Sequence, residues 1–194
     1  MTETSLEAKD ANWVRARIPG AKERRIAEMI RVDHAGEYGA VQIYRGQRAV
    51  FEAAGGSDEI VAELSEMEQG EQAHLETFDR LIAERGVRPT LLSPLWNAAG
   101  FALGAATALM GEKAAMACTT AVEEVIEEHY ADQAEELRDV DPELRETVTA
   151  FREDELEHKD TAIAAGAKEA FGYPVLSAGI KAACRLAIAV SQKV

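Results

Sequence analysis

Residues 60–81, IVAELSEMEQGEQAHLETFDRL, decide the fold. Ile60, Leu64, Met67, Glu71, His74, Phe78 and Leu81 follow one another in alternating steps of four and three, which is one continuous face of an α-helix. Ser57, followed by Asp58 and Glu59, supplies the N-cap, and Gly86 the stop. The face is apolar except at Glu71 and His74, where Leu or Ile belongs. A second helix repeats the plan. Asp141-Pro142 opens it, and Leu144, Val148, Phe151, Glu155, His158, Ala162 and Ala165 form its stripe. Both interruptions read E-x-x-H, as Glu71-Gln72-Ala73-His74 and Glu155-Leu156-Glu157-His158. Residues three apart share a helix face, so each carboxylate points into the same space as its imidazole.

Each of these helices follows another amphipathic one. The first runs from about Ala21 to Gly55-Gly56, with Ile26, Ile30, Glu37, Tyr44 and Phe51 on one face. The other runs from Glu112 to about Arg138, with the stripe Met116, Thr119, Glu123, Ile126, Tyr130, Leu137. An uncharged helical segment separates the two halves, and a last apolar helix follows Gly172-Tyr173-Pro174. No segment alternates with period two. The expected fold is all-α: a ferritin-like four-helix bundle with two additional apolar helices. Residues 1–20 are expected to form a flexible N-terminal extension, and residues 21–194 a single domain.

Composition narrows the function. The 194 residues are 47% hydrophobic, which suffices for one full core, and 35 Asp and Glu outweigh 21 Lys and Arg to give a formal charge of -14. Such a surface repels phosphate, which excludes nucleic acid as a partner. Cys118 and Cys184 form no C-x-x-C pair, so a reducing compartment is expected. Glu3, Glu7 and Asp10, without an apolar run, fit neither a secretory signal nor a transit peptide.

The polar positions on the stripes need compensation, because burying an unpaired charge costs several kcal/mol. Glu37 precedes the first E-x-x-H by 34 residues and Glu123 precedes the second by 32, so each half reads helix-with-Glu, then helix-with-E-x-x-H. Two inward Glu and two inward E-x-x-H pairs make the ligand set of a dinuclear carboxylate site in a bundle core. Four carboxylates balance two divalent cations. Mixed carboxylate and imidazole ligation suits iron or manganese better than zinc. Surface i, i+3 pairing accounts for any one of these residues, but not for all six on apolar stripes.

The sequence Arg31-Val32-Asp33-His34-Ala35-Gly36-Glu37-Tyr38-Gly39-Ala40 resembles the demethoxyubiquinone hydroxylase family of ubiquinone biosynthesis. The likeness continues through Ile43-Tyr44, Gly46-Gln47, Arg88-Pro89-Thr90, Pro94-Leu95-Trp96-Asn97, residues 100–105, Met116-Ala117-Cys118-Thr119, Ala121-Val122-Glu123-Glu124 and Glu155-Leu156-Glu157-His158. It covers nearly everything from about residue 24 onward and is weak at residues 52–70 and 138–146. The resemblance implies two iron ions on Glu37, Glu71, His74, Glu123, Glu155 and His158. It further implies O2-dependent monooxygenation of a polyprenyl methoxy-benzoquinol ring, with a reduced nicotinamide as electron donor. The implied setting is peripheral: the cytoplasmic face of a bacterial inner membrane, or the matrix face of the mitochondrial one. A lipid-presenting accessory protein and a homodimer are the protein partners it allows. Ferritin- or rubrerythrin-like iron or peroxide detoxification is the alternative function.

Some residues remain with two readings. Tyr130 lies two turns after Glu123 on the same stripe, with His129 beside it. The pair serves either as a proton or electron relay, or as a core tyrosine and a solvent-edge histidine. Asp33 and His34, one turn before Glu37, are either partners of the site or helix-surface residues. Gly36 and Gly39 either allow close helix packing or leave room beside the metal for O2 or substrate. Residues 91–110 carry no charge and reach the length of a membrane span, but a crossing there would separate the two halves of the ligand set. An interfacial helix is expected instead, with Leu95, Trp96, Phe101 and Leu103 facing lipid, substrate or a protein partner. Ile180, Leu186 and Ile188 with Lys181, Arg185 and Lys193, and the basic cluster Arg15, Arg17, Lys22, Arg24 and Arg25, are expected to assist at the membrane.

Overall fold

The computed structural model describes residues 20–193. Arg15, Arg17 and all of the expected extension except Gly20 lie outside the described residues. Six α-helices follow in order: α1 (Ala21–Ala54), α2 (Asp58–Arg85), α3 (Ser93–Leu109), α4 (Glu112–Glu136), α5 (Pro142–Ala164) and α6 (Tyr173–Ser191). A 3-10 turn, Ala167–Glu169, links the last two, and the described residues contain no strand. The breaks fall where local chemistry demands them. Ser57 Oγ accepts the Ile60 N–H at 3.3 Å, and Asp141 Oδ1 accepts the Leu144 N–H at 3.1 Å, each relieving an orphan donor of a first turn. Gly55 and Gly86 end α1 and α2 in the left-handed region, at φ 69° and 62°.

Helices α1, α2, α4 and α5 form the bundle, with α1 packed on α2 and α4 on α5. Apolar helix α3 lies against α1, and α6 lies against α4. The chain is therefore two halves of the same plan: two bundle helices, then an apolar helix with Pro94 or Pro174 in its first turn. Two apolar clusters fill the bundle. One holds Tyr44, Phe51, Leu64, Met67 and Met116, and the other Met29, Ile30, Phe78, Tyr130, Leu144 and Val148. Along α2, Glu71 and His74 stand between the residues given to the one cluster and those given to the other. The polar layer is thus sandwiched between two dry ones.

The α1–α3 contact is unusually close. A Cβ on Gly104 would stand 2.0 Å from the Ile43 carbonyl oxygen, and one on Gly46 would stand 2.3 Å from that of Phe101. Only glycine lets the two backbones approach this far.

Three expectations need correction. Ala165 is exposed, because α5 stops at Ala164 and the 3-10 turn buries Ala167 and Ala170 in its place. Ile180 is 5% exposed and packs with Cys118, Ala121 and Val122 rather than facing a membrane. Lys181 and Arg185 are drawn to α4, where they pair with Glu124 at 2.5 Å and Glu128 at 2.9 Å. Arg25 is likewise taken up, by Glu136 at 2.9 Å and Glu28 at 2.6 Å. By length and composition α6 could cross a bilayer, but these contacts hold it along the bundle.

Candidate metal centre

The long helices α1, α2, α4 and α5 each send carboxylates into the polar layer. Glu37, Glu71, Glu123 and Glu155 are at most 1% exposed, and His74 is 4% exposed. Their ligand atoms gather in two groups, within 4.8 Å in each: Glu37, Glu71, His74 and Glu155, and then Glu71, Glu123, Glu155 and His158. Glu71 and Glu155 belong to both. His74 Nδ1 lies 3.5 Å from Glu155 and 3.6 Å from Glu37, and His158 Nδ1 lies 3.0 Å from Glu71. The outer nitrogen of His74 meets Asp154 at 2.9 Å, an arrangement that orients a metal-bound imidazole with Nδ1 inward.

Hydrogen-bond accounting supports a metal here. Among the described residues, thirteen buried side-chain polar atoms lack a partner, and eight of them belong to these six residues. Buried polar groups are rarely left unpaired, so a cluster of eight fits a place where cations would complete the coordination. Without metal, burial pushes Glu71 and Glu123 well above the usual carboxylate range, and the nearby Glu155 charge adds to the shift. Burial works against ionised Glu155 too, but the imidazoles of His158 and His74, 3.8 and 3.5 Å away, bring it down to about 2. Burial also disfavours both imidazolium forms. Carboxylate contacts outweigh it, carrying His74 to about 12 through Glu155 and Glu37, and His158 to about 10 through Glu155 and Glu71. In the metal-free cluster, protons stand in for the missing positive charge.

Two tyrosines complete the layer by a crossed arrangement. Tyr130 of α4 donates to Glu37 of α1, and Tyr44 of α1 donates to Glu123 of α4 at 2.5 Å. Burial, reinforced by the facing carboxylates, raises both phenols well above their ordinary value. Tyr44 is a site residue that the sequence reading leaves on the stripe. Its signal was the spacing, since Tyr44 follows Glu37 by seven residues just as Tyr130 follows Glu123.

Beside Glu37 and Tyr130 lies an apolar cavity of about 200 Å³ between α1, α3, α4 and α6. Val122, Ile126, Ile43, Leu103 and Ile188 form much of its wall. Gly36 and Gly39 line it as well, and a Cβ on either would meet nothing within 4 Å. Room beside the site, not close packing, is therefore what they provide.

A family model for the ubiquinone biosynthesis protein COQ7 matches residues 24–191. The chain belongs to the COQ7 family. A 3-demethoxyubiquinol 3-hydroxylase of Rhodospirillum rubrum is 51% identical over 194 residues, covering 99% of this chain and 90% of that protein. A human mitochondrial NADPH-dependent 3-demethoxyubiquinone 3-hydroxylase is 46% identical over 172 residues, 87% of this chain and 77% of that protein. A mitochondrial 5-demethoxyubiquinone hydroxylase of Saccharomyces cerevisiae is 42% identical over 185 residues, 86% and 77% of the two chains.

The remaining expected residues of this COQ7 chain divide between cavity and surface. Trp96 and Leu103 face the cavity, and the Trp96 indole donates to Ser191 of α6 at 3.1 Å. Leu95 and Phe101 face outward, 54% and 42% exposed. His129 lines the cavity, where Asp33 meets its Nε2 at 3.2 Å. His34 instead pairs with Asp79 of α2 at 3.0 Å.

Proposed function

We propose that this chain hydroxylates the ring of demethoxyubiquinol at a di-iron centre, with the ring in the apolar cavity. One observation carries this reading: the cavity opens directly at Glu37 and Tyr130 and is walled by aliphatic side chains. A detoxification site for iron or peroxide has no use for such a wall, so that alternative is not favoured. Glu37, Glu71, His74 and Glu155 would hold one iron, and Glu71, Glu123, Glu155 and His158 the other. Bound there, the pair supplies the chemistry by which one oxygen atom of O2 enters a ring C–H bond and the other leaves as water, with two electrons and two protons from outside.

The residues of the chain do the rest. Glu71 and Glu155, reaching both groups, set the spacing of the two sites. Tyr130 holds the Glu37 carboxylate and stands at the boundary between ligand and cavity, where it can pass a proton. Aliphatic walls exclude water. The cavity lies between α3 and α6, so a polyprenyl tail would leave between those helices onto an apolar face with Leu95, Phe101, Leu109 and Leu186 exposed. That face suits a bilayer surface, on the cytoplasmic side in a bacterium or the matrix side in a mitochondrion. A lipid-presenting accessory protein or a second copy of the chain would compete for the same face. A reduced nicotinamide is the electron donor that the human relative's name suggests.

The test supplies ferrous-loaded protein with a short-chain demethoxyubiquinol, a reductant and 18O2. One 18O atom in the ring product is expected. Consumption of peroxide or oxidation of excess iron, without ring product, would transfer the chain to the detoxification class.

A further inference from the structure

Asp33, Gln133 and His129 meet at one end of the cavity. The His129 Nε2 lies 3.2 Å from Asp33 Oδ1, and the Gln133 side-chain amide donates to the same oxygen at 2.7 Å. Asp33 has no exposed side-chain surface, and Gln133 is 3% exposed. The Gln133 nitrogen also stands 2.9 Å from His129 Nε2, so two groups face that ring nitrogen, one an acceptor and one a donor. Burial pushes the Asp33 carboxyl up, while His129 and Gln133 favour its ionised form. A hydrogen bond to an ionised carboxylate is roughly twice as strong as one between neutral groups, so with Asp33 ionised the acceptor decides. The neutral imidazole therefore carries its hydrogen on Nε2, toward Asp33, and keeps a lone pair on Nδ1. Two other polar side chains of the cavity wall are committed elsewhere, Tyr130 to Glu37 and Trp96 to Ser191.

The two halves of the chain sharpen the point. Glu37 and Glu123 correspond, as do Tyr44 and Tyr130, each pair 86 residues apart. At that spacing the counterpart of Asp33 is Thr119, and that of His129 is Ile43. Only one of the two corresponding positions holds an imidazole against a carboxylate; its counterpart has an isoleucine and a threonine.

We infer that Asp33 is a positioning residue that fixes the His129 tautomer, so that the cavity distinguishes the reduced quinol ring from the oxidised quinone. This rests on the cavity being the ring site. A ring hydroxyl can donate to the Nδ1 lone pair. A quinone carbonyl can only accept, so it faces that lone pair acceptor to acceptor. A site built to pair with a hydroxyl discriminates strongly against a group that lacks the hydrogen. The quinol is favoured by about tenfold or more.

The test measures binding without O2, so that nothing turns over. A decyl-tailed methoxy-methyl-benzoquinone and its two-electron-reduced quinol are titrated into the parent, Asp33→Asn and His129→Phe proteins. The 15N shifts of His129 are recorded on the parent and on Asp33→Asn. The parent is expected to prefer the quinol and to show hydrogen on Nε2. The amide introduced by Asp33→Asn can present either an acceptor or a donor, so a mixed tautomer and a quinol-to-quinone ratio near one are expected of that variant. His129→Phe should abolish the preference while both forms still bind. Hydrogen on Nδ1 in the parent overturns the inference whether or not any variant folds. Equal binding of the two forms by the parent, or an unchanged ratio in Asp33→Asn, overturns it while leaving the ring site standing. Failure of the parent to bind either form overturns the ring site and this inference together.

Discussion

Replacing Tyr130 with Phe, beside the same change at Tyr44, separates catalysis from architecture. Both phenols are about 1% exposed and each gives its hydrogen to one ligand carboxylate, so each substitution deletes one O–H group and leaves the ring packing intact. Leaving a buried carboxylate oxygen without its donor costs about 1–3 kcal/mol. In a domain of this size that lowers the melting temperature by roughly 2–4 °C per kcal/mol, hence about 2–12 °C. The two variants are expected to lose similar stability in metal-free calorimetry. Turnover should not fall equally. Tyr130 lines the cavity whereas Tyr44 belongs to the apolar cluster at the far side of the ligand layer. A lost proton-transfer group costs on the order of 10²-fold or more in rate. That loss is expected in kcat for Tyr130→Phe, with stoichiometric metal retained, and Tyr44→Phe should stay within about threefold of the parent. Equal losses in the two variants would reduce both tyrosines to ligand supports, and full activity of Tyr130→Phe would remove it from the chemistry.

Four further outcomes are expected. Loading two divalent cations at pH 7 should release at least two protons per chain, from His74 and His158, with more from Glu71 and Glu123; binding heats in buffers of different ionisation enthalpy measure this, and release of fewer than two contradicts the charge assignment. For the metal-free protein the signs differ by group. The Glu155 contribution is present above its unfolded pKa and is lost as pH falls toward about 2; those of His74 and His158 are complete below the unfolded histidine pKa and are lost as pH rises through about 12 and 10; and Glu71 and Glu123 favour the fold only while protonated, so stability curves against pH should show all three trends. Gly39→Ala should gain up to about 1 kcal/mol of helix stability, whereas Gly104→Ala should lose about 1–3 kcal/mol by forcing α3 off α1; denaturant midpoints decide, and equal effects would contradict the close approach. Leu95→Ser with Phe101→Ser should weaken liposome binding without changing helix content or metal loading, and unchanged partition would remove the bilayer from the proposal.

Much of this was readable in the residues because the polar intruders occupied core positions with helical spacing. The six expected ligands all reached the layer, since a 3.6-residue repeat fixes the direction of a side chain once the helix exists. What escaped was everything set by how helices face each other. The crossing of Tyr44 and Tyr130 depends on which helix lies opposite. So does the pairing of Asp33 with His129, 96 positions away. The basic residues of α6 illustrate the same limit, because amphipathic spacing could not reveal that Glu124 and Glu128 of α4 would claim them. The fate of Trp96 turned on a partner in another half of the chain. Local pattern specified each helix, and long-range partnership assigned its polar groups.

The division of the molecule into two halves has a consequence for its symmetry. Each half brings three candidate ligands to one group, and lends a single carboxylate, Glu71 or Glu155, to the group of the other. Two copies of one such three-helix half, facing each other, would supply the same six side-chain types to one layer. Held in one chain, the two halves need not be identical. Corresponding positions can then differ, as Ile43 and His129 do, and the layer gains a distinct front and back.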